Sequence, residues 1–180
     1  MKELLLATMA SLILSTAGYA QMIVAHRGAF FDAPENPLAA FNEAWEQAAD
    51  GIEGDFYYTS DKHIVCIHDK DTERTAGIKL PIGKSSLAEL KKLDYGKWKG
   101  RIFEGQPIPT FAEVAAAVPS GKTFVIELKT GPEIVTLLKH ELARTRLDAE
   151  QLLIIAFDSQ TIAESKKQLP NIRAHWLTGY

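Results

Sequence analysis

Short apolar runs alternate along this chain with segments of helical periodicity, and this alternation constrains the fold more than any other feature. Six runs predict strands, at residues 22–25, 51–56, 63–67, 123–128, 152–157 and 172–177. The segments between them place apolar side chains on one helical face, at residues 38–49, 111–118, 134–144 and 160–168. Strands that alternate with helices indicate a parallel sheet covered by helices.

Two architectures fit this alternation, a doubly wound open sheet and a (β/α)8 barrel. Polar side chains lie at or near the C-terminal ends of the predicted strands, at His26, Glu53, Asp55, His68 and Glu127. A barrel gathers the residues at its strand ends into one mouth, whereas an open sheet binds ligands at a switch point and usually carries a glycine-rich phosphate loop. The sequence has no such loop, so we predict an α/β fold of the barrel type.

Residues 71–109 interrupt the alternation, because they are rich in glycine and proline and contain only a short helical pattern at 86–93. We predict an insertion after the third strand, of the kind that forms lids or substrate loops. Six strands are fewer than the eight of a closed barrel, which typically takes about 250 residues. We therefore expect residues 21–180 to form one domain that is an incomplete, C-terminally truncated barrel.

The N-terminal segment has the three-part layout of a secretory signal peptide. Lys2 supplies a positive charge, residues 4–14 are mostly apolar, and Gly18 and Ala20 place small residues two apart. The apolar run is about half of the roughly 20 residues that a membrane-spanning helix needs. We expect cleavage after Ala20, export to the periplasm or the medium, and no stable membrane span. The alternatives are a buried first helix and an uncleaved anchor.

Charge and cysteine content exclude two other classes of protein. The net charge is −3 and no long basic run occurs, so we expect no nucleic-acid partner. The single cysteine, Cys66, excludes an intramolecular disulfide. Because it lies in an apolar run, we expect its thiol to be buried and unreactive.

Three carboxylates indicate a possible metal site. Glu53 and Asp55 are two residues apart in a predicted strand, so both side chains point to the same face and repel each other. Glu127 ends another predicted strand, and Lys129 two residues later would face the same way. Hard oxygen ligands suit Mg²⁺ or Ca²⁺. Taken alone, the pair of Glu53 and Asp55 is more typical of a solvated strand end, and so is Glu127.

Two histidines and an arginine lie at neighbouring strand ends. His26 and His68 each follow a predicted strand, and a histidine can transfer protons near neutral pH. Arg27 offers a planar fork of donors that suits phosphate. A single histidine of this kind is as often a hydrogen-bonded core residue. Together with the carboxylates, however, these groups indicate a phosphodiester site.

The ordered motifs of residues 22–130 resemble those of the glycerophosphodiester phosphodiesterase family. They are Ile23-Val24-Ala25-His26-Arg27-Gly28, Pro34-Glu35-Asn36, Ala40-Phe41, Glu53-Gly54-Asp55, Thr59-Ser60-Asp61, 65–69, Arg74-Thr75, Ile108-Pro109-Thr110-Phe111 and Ile126-Glu127-Leu128-Lys129. Each motif alone is weak, but the set in this order is specific. Pro37 stands where the family usually has Thr or Ser, and proline suits the first turn of a helix.

The resemblance implies a (β/α)8 barrel and a hydrolase that cleaves glycerophosphodiesters, such as deacylated phospholipids, to sn-glycerol 3-phosphate and an alcohol. By this resemblance, the acid/base pair is His26 and His68. The ligands of Ca²⁺ or Mg²⁺ are Glu53, Asp55 and Glu127, and the phosphate contacts are Arg27 and Lys129. The resemblance leaves open which histidine is the acid, which alcohol leaves, which metal binds and what oligomer forms.

Two other functions fit the same residues. One is a phospholipase D-like phosphodiesterase on a similar barrel, which should carry apolar loops that face a membrane. In the insertion, Trp98 and Phe103 lie among Lys97, Lys99 and Arg101, a pattern weakly suggestive of an anionic surface but more typical of a solvated loop. The other is a non-catalytic domain that binds metal or phosphate. Metal-dependent turnover distinguishes this domain from an enzyme.

Overall fold

The computed structural model describes residues 21–179, so the predicted signal peptide lies outside the described residues. The strands are β1 (Val24–His26), β2 (Gly51–Tyr58), β3 (Ile64–Cys66), β4 (Thr123–Leu128), β5 (Leu152–Ala156) and β6 (Arg173–Trp176). The helices are α1 (Leu38–Glu46), α2 (Glu73–Ala76), α3 (Leu87–Leu90), α4 (Phe111–Ala116), α5 (Glu133–Leu142) and α6 (Ser159–Gln168). Across these residues, no helix has both the length and the apolar character that crossing a bilayer requires.

Five of the strands form a parallel sheet in the order β1-β2-β4-β5-β6. Each parallel strand lies beside the next parallel strand in the sequence, with helices in the connections. A doubly wound sheet instead reverses its strand order at a switch point. The order along the sheet therefore confirms the predicted barrel-type α/β fold.

The third predicted strand forms, but its direction differs from the expectation of a parallel strand. β3 pairs antiparallel with the end of β2, with Cys66 opposite Phe56. Only residues 59–63 connect the two strands, and the turn is closed by the Thr59 N–H, which donates to the His63 carbonyl at 2.9 Å. A parallel crossover needs a dozen or more residues, so this short connection imposes a hairpin. The long insertion follows this third strand, as predicted, but the strand is the second arm of a hairpin rather than a third parallel strand.

Two apolar clusters support this sheet. The larger lies between the sheet and its helices, where the rings of Phe56, Phe111 and Phe124 pack with centroids 5.4 to 5.8 Å apart. The smaller lies beneath the insertion and includes Val65 of β3 and Tyr95. Because β3 contributes to this second cluster, the insertion is packed firmly beside the C-terminal ends of the strands.

Local signals in the sequence set the starts of two helices. Pro37 precedes α1 with φ −57°, an angle that its ring permits, so the family departure at this position leaves the helix start intact. At α4, Thr110 and Glu113 form a capping box, in which the Thr110 Oγ1 accepts from the Glu113 N–H at 3.3 Å and the Glu113 carboxylate accepts from the Thr110 N–H at 2.7 Å.

Candidate active site

Strand register brings the three predicted carboxylates together. Glu53 of β2 lies opposite His26 of β1, and Asp55 of β2 lies opposite Glu127 of β4. One oxygen from each carboxylate lies within 4.8 Å of the others, and all three residues are buried. We call Glu53, Asp55 and Glu127 the acidic cluster. Residues 74 positions apart in the sequence thus form one set of hard oxygen donors.

The acidic cluster has more negative charge than its surroundings neutralise. Burial and the charges of Asp55 and Glu127 raise the pKa of Glu53 to about 8. Glu53 Oε1 is buried and accepts no hydrogen bond from the described residues. A buried anionic oxygen without a partner is costly unless a cation or proton satisfies it. The cluster therefore fits a divalent cation by charge, burial and ligand type.

Two cations border the acidic cluster. Arg27 Nε lies 3.3 Å from Asp55 Oδ2, and the Arg27 N–H donates to Glu53 Oε2 at 3.0 Å. Lys129 Nζ donates to Glu127 Oε1 at 2.7 Å and lies 3.3 Å from Asp55 Oδ1. Burial alone would lower the pKa of Lys129, but the hydrogen bond to Glu127 and the charge of Asp55 raise it. Both cations are thus placed to contact an anion bound beside the acidic cluster.

The turn after β1 positions Arg27. This residue has φ +56° and is followed by Gly28 at φ +76°, so two consecutive residues are left-handed. A Cβ at Gly28 would lie 2.6 Å from the Ala40 backbone at the start of α1. Glycine at this position therefore permits both the positive φ and the close approach of α1.

Asn36 holds Asp55 in place. Its Nδ2 donates to Asp55 Oδ2 at 3.0 Å, while its Oδ1 accepts from the Asp55 N–H at 3.3 Å and lies 3.2 Å from the Cys66 thiol. Asn36 is buried and has φ +70°. Burial raises the pKa of Cys66, in agreement with the expected unreactive thiol. The sequence offers Asn36 only as part of the motif Pro34-Glu35-Asn36, whereas the structure places it in direct contact with the acidic cluster.

The two histidines approach the mouth from different elements. His26 Nε2 lies 3.9 Å from Glu53 Oε2, its side chain is half exposed, and burial and the charge of Arg27 lower its pKa. His68 follows the antiparallel strand β3, which runs back toward the acidic cluster, so that the Ile67 N–H donates to the Asp55 carbonyl at 2.9 Å. The hairpin thereby brings His68 to the same end of the sheet as His26.

A chain of ion pairs fixes the groups around His68. The His68 Nδ1 lies 2.7 Å from Asp69 Oδ1, and Arg74 donates from Nε to Asp69 Oδ2 at 2.6 Å. Arg74 also donates to both oxygens of Glu35, at 2.6 and 2.9 Å, and Glu35 accepts from Arg27 Nη1 at 3.3 Å. We call Glu35, Asp69 and Arg74 the arginine network; it connects His68 to Arg27.

The arginine network was not assigned as a site from the sequence. Glu35, Asp69 and Arg74 all lie in motifs of the resemblance, which is the only signal for them in the sequence. Although burial opposes it, the hydrogen bonds from Arg74 lower the pKa of Glu35. The pKa of Asp69 is lowered in the same way, against burial, by Arg74 and His68. Each carboxylate of the network thus accepts a charged hydrogen bond from Arg74.

An open cavity of about 410 Å³ lies beside His68. It is lined by His68, Lys129, Tyr57, Asp69, Lys70 and Asp71. His68 and the half-buried cation of Lys129 therefore face one space large enough for a small phosphodiester. A larger cavity of about 650 Å³ lies between α4 and the C-terminal end of α5, and its lining includes Ala115 and Leu147. None of the predicted site residues borders this second cavity, so its size does not bear on the chemistry.

Known proteins resemble this chain over most of its length. The sequence model of the Glycerophosphoryl diester phosphodiesterase family matches residues 26–171. A glycerophosphodiester phosphodiesterase of Caldanaerobacter subterraneus subsp. tengcongensis is 35% identical over 156 residues, which cover 84% of this chain and 64% of the relative. One of Bacillus subtilis is 29% identical over 167 residues, covering 84% of this chain and 57% of the relative.

Solved structures show the same fold. A phosphodiesterase of Oleispira antarctica, in complex with the product sn-glycerol-3-phosphate, superposes with a TM-score of 0.83 at 30% identity, over 87% of this chain and 65% of that one. A glycerophosphodiester phosphodiesterase of Thermotoga maritima gives a TM-score of 0.71 at 26% identity, over 88% and 63%. The chain thus spans less than two thirds of the length of these relatives.

Proposed function

We propose that this chain, which belongs to the Glycerophosphoryl diester phosphodiesterase family, is a metal-dependent hydrolase that converts glycerophosphodiesters to sn-glycerol 3-phosphate and an alcohol. The observation that carries the proposal is the buried acidic cluster with Arg27 and Lys129 at its border and two histidines nearby. The solved relative that holds sn-glycerol-3-phosphate supports the same choice of product.

Glu53, Asp55 and Glu127 would hold the divalent cation, Ca²⁺ or Mg²⁺. The ion would supply Lewis-acid stabilisation of negative charge on the phosphoryl oxygens. The unpartnered oxygen of Glu53 and the raised pKa of its carboxyl support the assignment, because both indicate a missing positive charge. Asn36 keeps Asp55 oriented, so the ligand set does not depend on the ion for its geometry.

Arg27 and Lys129 would bind and orient the phosphate. Arg27 is held from two sides, by Asp55 and by Glu35, so its guanidinium loses little freedom on binding. Lys129 lines the open cavity and stays charged, since contact with the acidic cluster raises its pKa. Positive groups fixed before substrate arrives stabilise developing charge on phosphorus without reorganisation.

His26 and His68 would exchange protons with the attacking and leaving oxygens. The Asp69 carboxylate lies 2.7 Å from the His68 Nδ1 and holds a proton on that atom, which leaves the Nε2 to accept or donate one. His26 lies on the other side of the acidic cluster, beside Glu53. The placement of one histidine on each of two elements provides an acid and a base for a single displacement.

Release of glycerol 3-phosphate from glycerophosphocholine tests this function. The protein is assayed with Ca²⁺ or Mg²⁺ and with EDTA, beside His26→Ala and, as the matched control, His140→Ala on the exposed face of α5. We expect release that needs the metal, disappears in His26→Ala and persists in His140→Ala. A folded protein that binds metal but releases no product would contradict the proposal and favour a function limited to binding.

We also propose that the protein is exported and cleaved after Ala20. The charged start, the apolar run at residues 4–14 and the small residues Gly18 and Ala20 support this, as does the match of the family model from residue 26 onward. In a bacterial host, the mass of the accumulated protein should correspond to a chain that begins at Gln21. An Ala20→Leu variant should accumulate uncleaved, and an intact N-terminus in the original chain would refute the proposal.

A further inference from the structure

Exposed aromatic side chains border the mouth on the side of β1. Phe31 is 84% exposed and Phe30 is 48% exposed, both in the turn that follows β1. Trp98 of the insertion is 43% exposed. We call Phe30, Phe31, Trp98 and Lys99 the rim patch. Exposed apolar residues that occur singly need no explanation, but a contiguous group of aromatic rings beside a site indicates a contact surface.

Lys99 joins the two halves of the rim patch. Its ammonium donates to the Phe30 carbonyl at 2.8 Å and lies 6.0 Å from the ring centroid of Phe31 and 5.9 Å from that of Trp98. The insertion is therefore attached to the β1 turn by one cation between two aromatic faces. Aromatic rings around a basic group are typical of surfaces that contact the boundary between lipid headgroups and acyl chains.

The loop that carries Trp98 is rigidly built. Asp94 accepts hydrogen bonds from the N–H groups of Gly96, Lys97 and Gly105 at 2.8 to 3.1 Å. Tyr95 is buried in the smaller apolar cluster. These contacts fix the two ends of the loop together. The apolar groups at its surface are therefore presented by a fixed support.

The same loop exposes a second apolar and basic pair. Ile102 is 87% exposed, the highest value among the large apolar side chains of the described residues, and it directly follows Arg101. Neither Lys99 nor Arg101 forms an ion pair within residues 21–179. The loop thus carries two cations without an ion-pair partner in the described residues. Lys99 lies next to the exposed Trp98, and Arg101 next to the exposed Ile102.

Nearby carboxylates are occupied by other partners. Asp94 accepts the three backbone hydrogen bonds of the loop, Glu104 pairs with Lys97 at 2.8 Å, and Asp32 accepts from the Gln47 side chain at 2.9 Å. The positive charge of Lys99 and Arg101 is therefore available to an external anion. Each basic group near an anionic bilayer strengthens binding, and the attraction decays within a Debye length.

The rim patch adjoins the candidate active site. The rings of Phe30 and His26 meet edge to face, with centroids 5.8 Å apart. We propose that the rim patch, with Arg101 and Ile102, docks the protein onto a bilayer that contains anionic lipid. Docking places the mouth beside the lipid surface. It goes beyond the proposed hydrolysis and requires no turnover, so its test does not depend on that function.

Trp98 provides a local reporter for this docking. In a Trp45→Phe/Trp176→Phe background it is the only tryptophan, and brominated phosphatidylcholine quenches a tryptophan that enters the bilayer. The complete chain is used for every variant, so that the apolar segment at residues 4–14 contributes equally to all of them. We expect quenching with vesicles of phosphatidylcholine and phosphatidylglycerol, and much less with phosphatidylcholine alone.

Two double variants separate the apolar and the charged contributions. Phe31→Ser/Ile102→Ser should weaken vesicle binding at least tenfold, because two large apolar groups no longer enter the interface. Lys99→Gln/Arg101→Gln should weaken it by about 20-fold on anionic vesicles only. The matched controls are Ile23→Ser, a 63% exposed residue at the opposite end of β1, and Lys166→Gln on α6; both should bind like the parent.

Three results would overturn the proposal. One is a folded parent whose Trp98 is not quenched at any vesicle concentration. Another is binding that is unchanged in both double variants. The third is self-association that depends on protein concentration and is lost in Phe31→Ser/Ile102→Ser, because it would assign the rim patch to contact between two copies of the chain. Circular dichroism of each variant establishes that it is folded.

Discussion

The acidic cluster and the arginine network lie side by side at the mouth but satisfy their charges differently. Three carboxylates on β2 and β4 converge in the acidic cluster, and Glu53 keeps a buried oxygen without a hydrogen bond in the described structure. In the arginine network, by contrast, Arg74 donates to both Glu35 and Asp69 and lowers the pKa of each carboxyl.

The difference indicates what each region is built to do. A region whose carboxylates all accept hydrogen bonds from a cation gains rigidity and holds its neighbours in place, as the arginine network does for His68 and Arg27. A region with unbalanced charge stores an electrostatic cost that only a cation or a proton relieves. The proposed ligands of the ion therefore lie on strands, whereas the groups that would orient His68 and Arg27 lie on loops and on the short helix α2.

The largest expected effect comes from Glu127→Gln in the acidic cluster. Removal of one of three ligand carboxylates, and of the 2.7 Å partner of Lys129, should reduce metal-dependent activity by about 10³, or about 4 kcal/mol in the barrier. The measurement is kcat/KM for glycerophosphocholine at the metal concentration that saturates the parent. Glu46→Gln, an exposed glutamate of α1, is the control and should keep full activity. Retention of a tenth or more of the activity in Glu127→Gln would contradict the ligand assignment.

The next effect is a dependence of stability on pH in the metal-free protein. Glu53 has a pKa of about 8 in the folded state, above the ordinary glutamate pKa of 4.5, so protonation of this group favours folding. The free energy of unfolding of the parent, relative to Glu53→Gln, should fall as pH rises from about 5 to about 8, by at most about 1.4 kcal/mol per pH unit.

Urea unfolding in EDTA at several pH values measures this difference. Added Ca²⁺ should remove the slope, because an ion in the acidic cluster replaces the proton on Glu53. A difference between the parent and Glu53→Gln that is constant over this pH range in EDTA would show that the surroundings of Glu53 already balance its charge.

A carboxylate of the arginine network should matter for stability rather than for metal binding. Glu35→Gln deprives Arg74 and Arg27 of a buried charged partner, so we expect a loss of about 2 kcal/mol in the free energy of unfolding. Metal binding should persist, because Glu35 is not part of the acidic cluster. Urea unfolding beside Glu46→Gln measures the loss. Equal stability of Glu35→Gln and Glu46→Gln would mean that the ion pairs of Glu35 do not stabilise the fold.

The smallest effect is expected for Asp69→Asn, which tests whether the arginine network orients His68. Loss of the carboxylate 2.7 Å from the His68 Nδ1 should lower kcat about tenfold, or about 1.4 kcal/mol, and leave KM unchanged. The pH profile of kcat should move as well, since the charge beside the imidazole changes. Asp50→Asn, at the opposite end of the sheet, is the control. An unchanged pH profile would reduce Asp69 to a structural role.

The sequence was sufficient to predict the acidic cluster because its geometry follows from strand periodicity. Glu53 and Asp55 share a face since they are two residues apart, and Glu127 joins them because parallel strands end at the same edge of the sheet. Side chains on regular elements inherit their positions from the backbone. The placement of these carboxylates therefore needed only the fold class and the resemblance.

The direction of β3 was not predicted, although the sequence contains the signal. An apolar run at 63–67 reads as a strand whatever its direction, and only the short connection from β2 excludes a parallel crossover. The contacts of Asn36 and Arg74 were harder to foresee. They depend on left-handed backbone and on pairs 19 and 39 residues apart, for which periodicity carries no information.

Calorimetric titration with Ca²⁺ and with Mg²⁺ tests the contrast between the two regions most directly. The account predicts one bound ion per chain in the parent, in Glu46→Gln and in Glu35→Gln, and no binding in Glu127→Gln. The loss in Glu127→Gln must occur in a protein that is still folded, which circular dichroism establishes. A parent that binds no ion, or binding that survives in Glu127→Gln and is lost in Glu35→Gln, would contradict the assignment of the acidic cluster as the metal site.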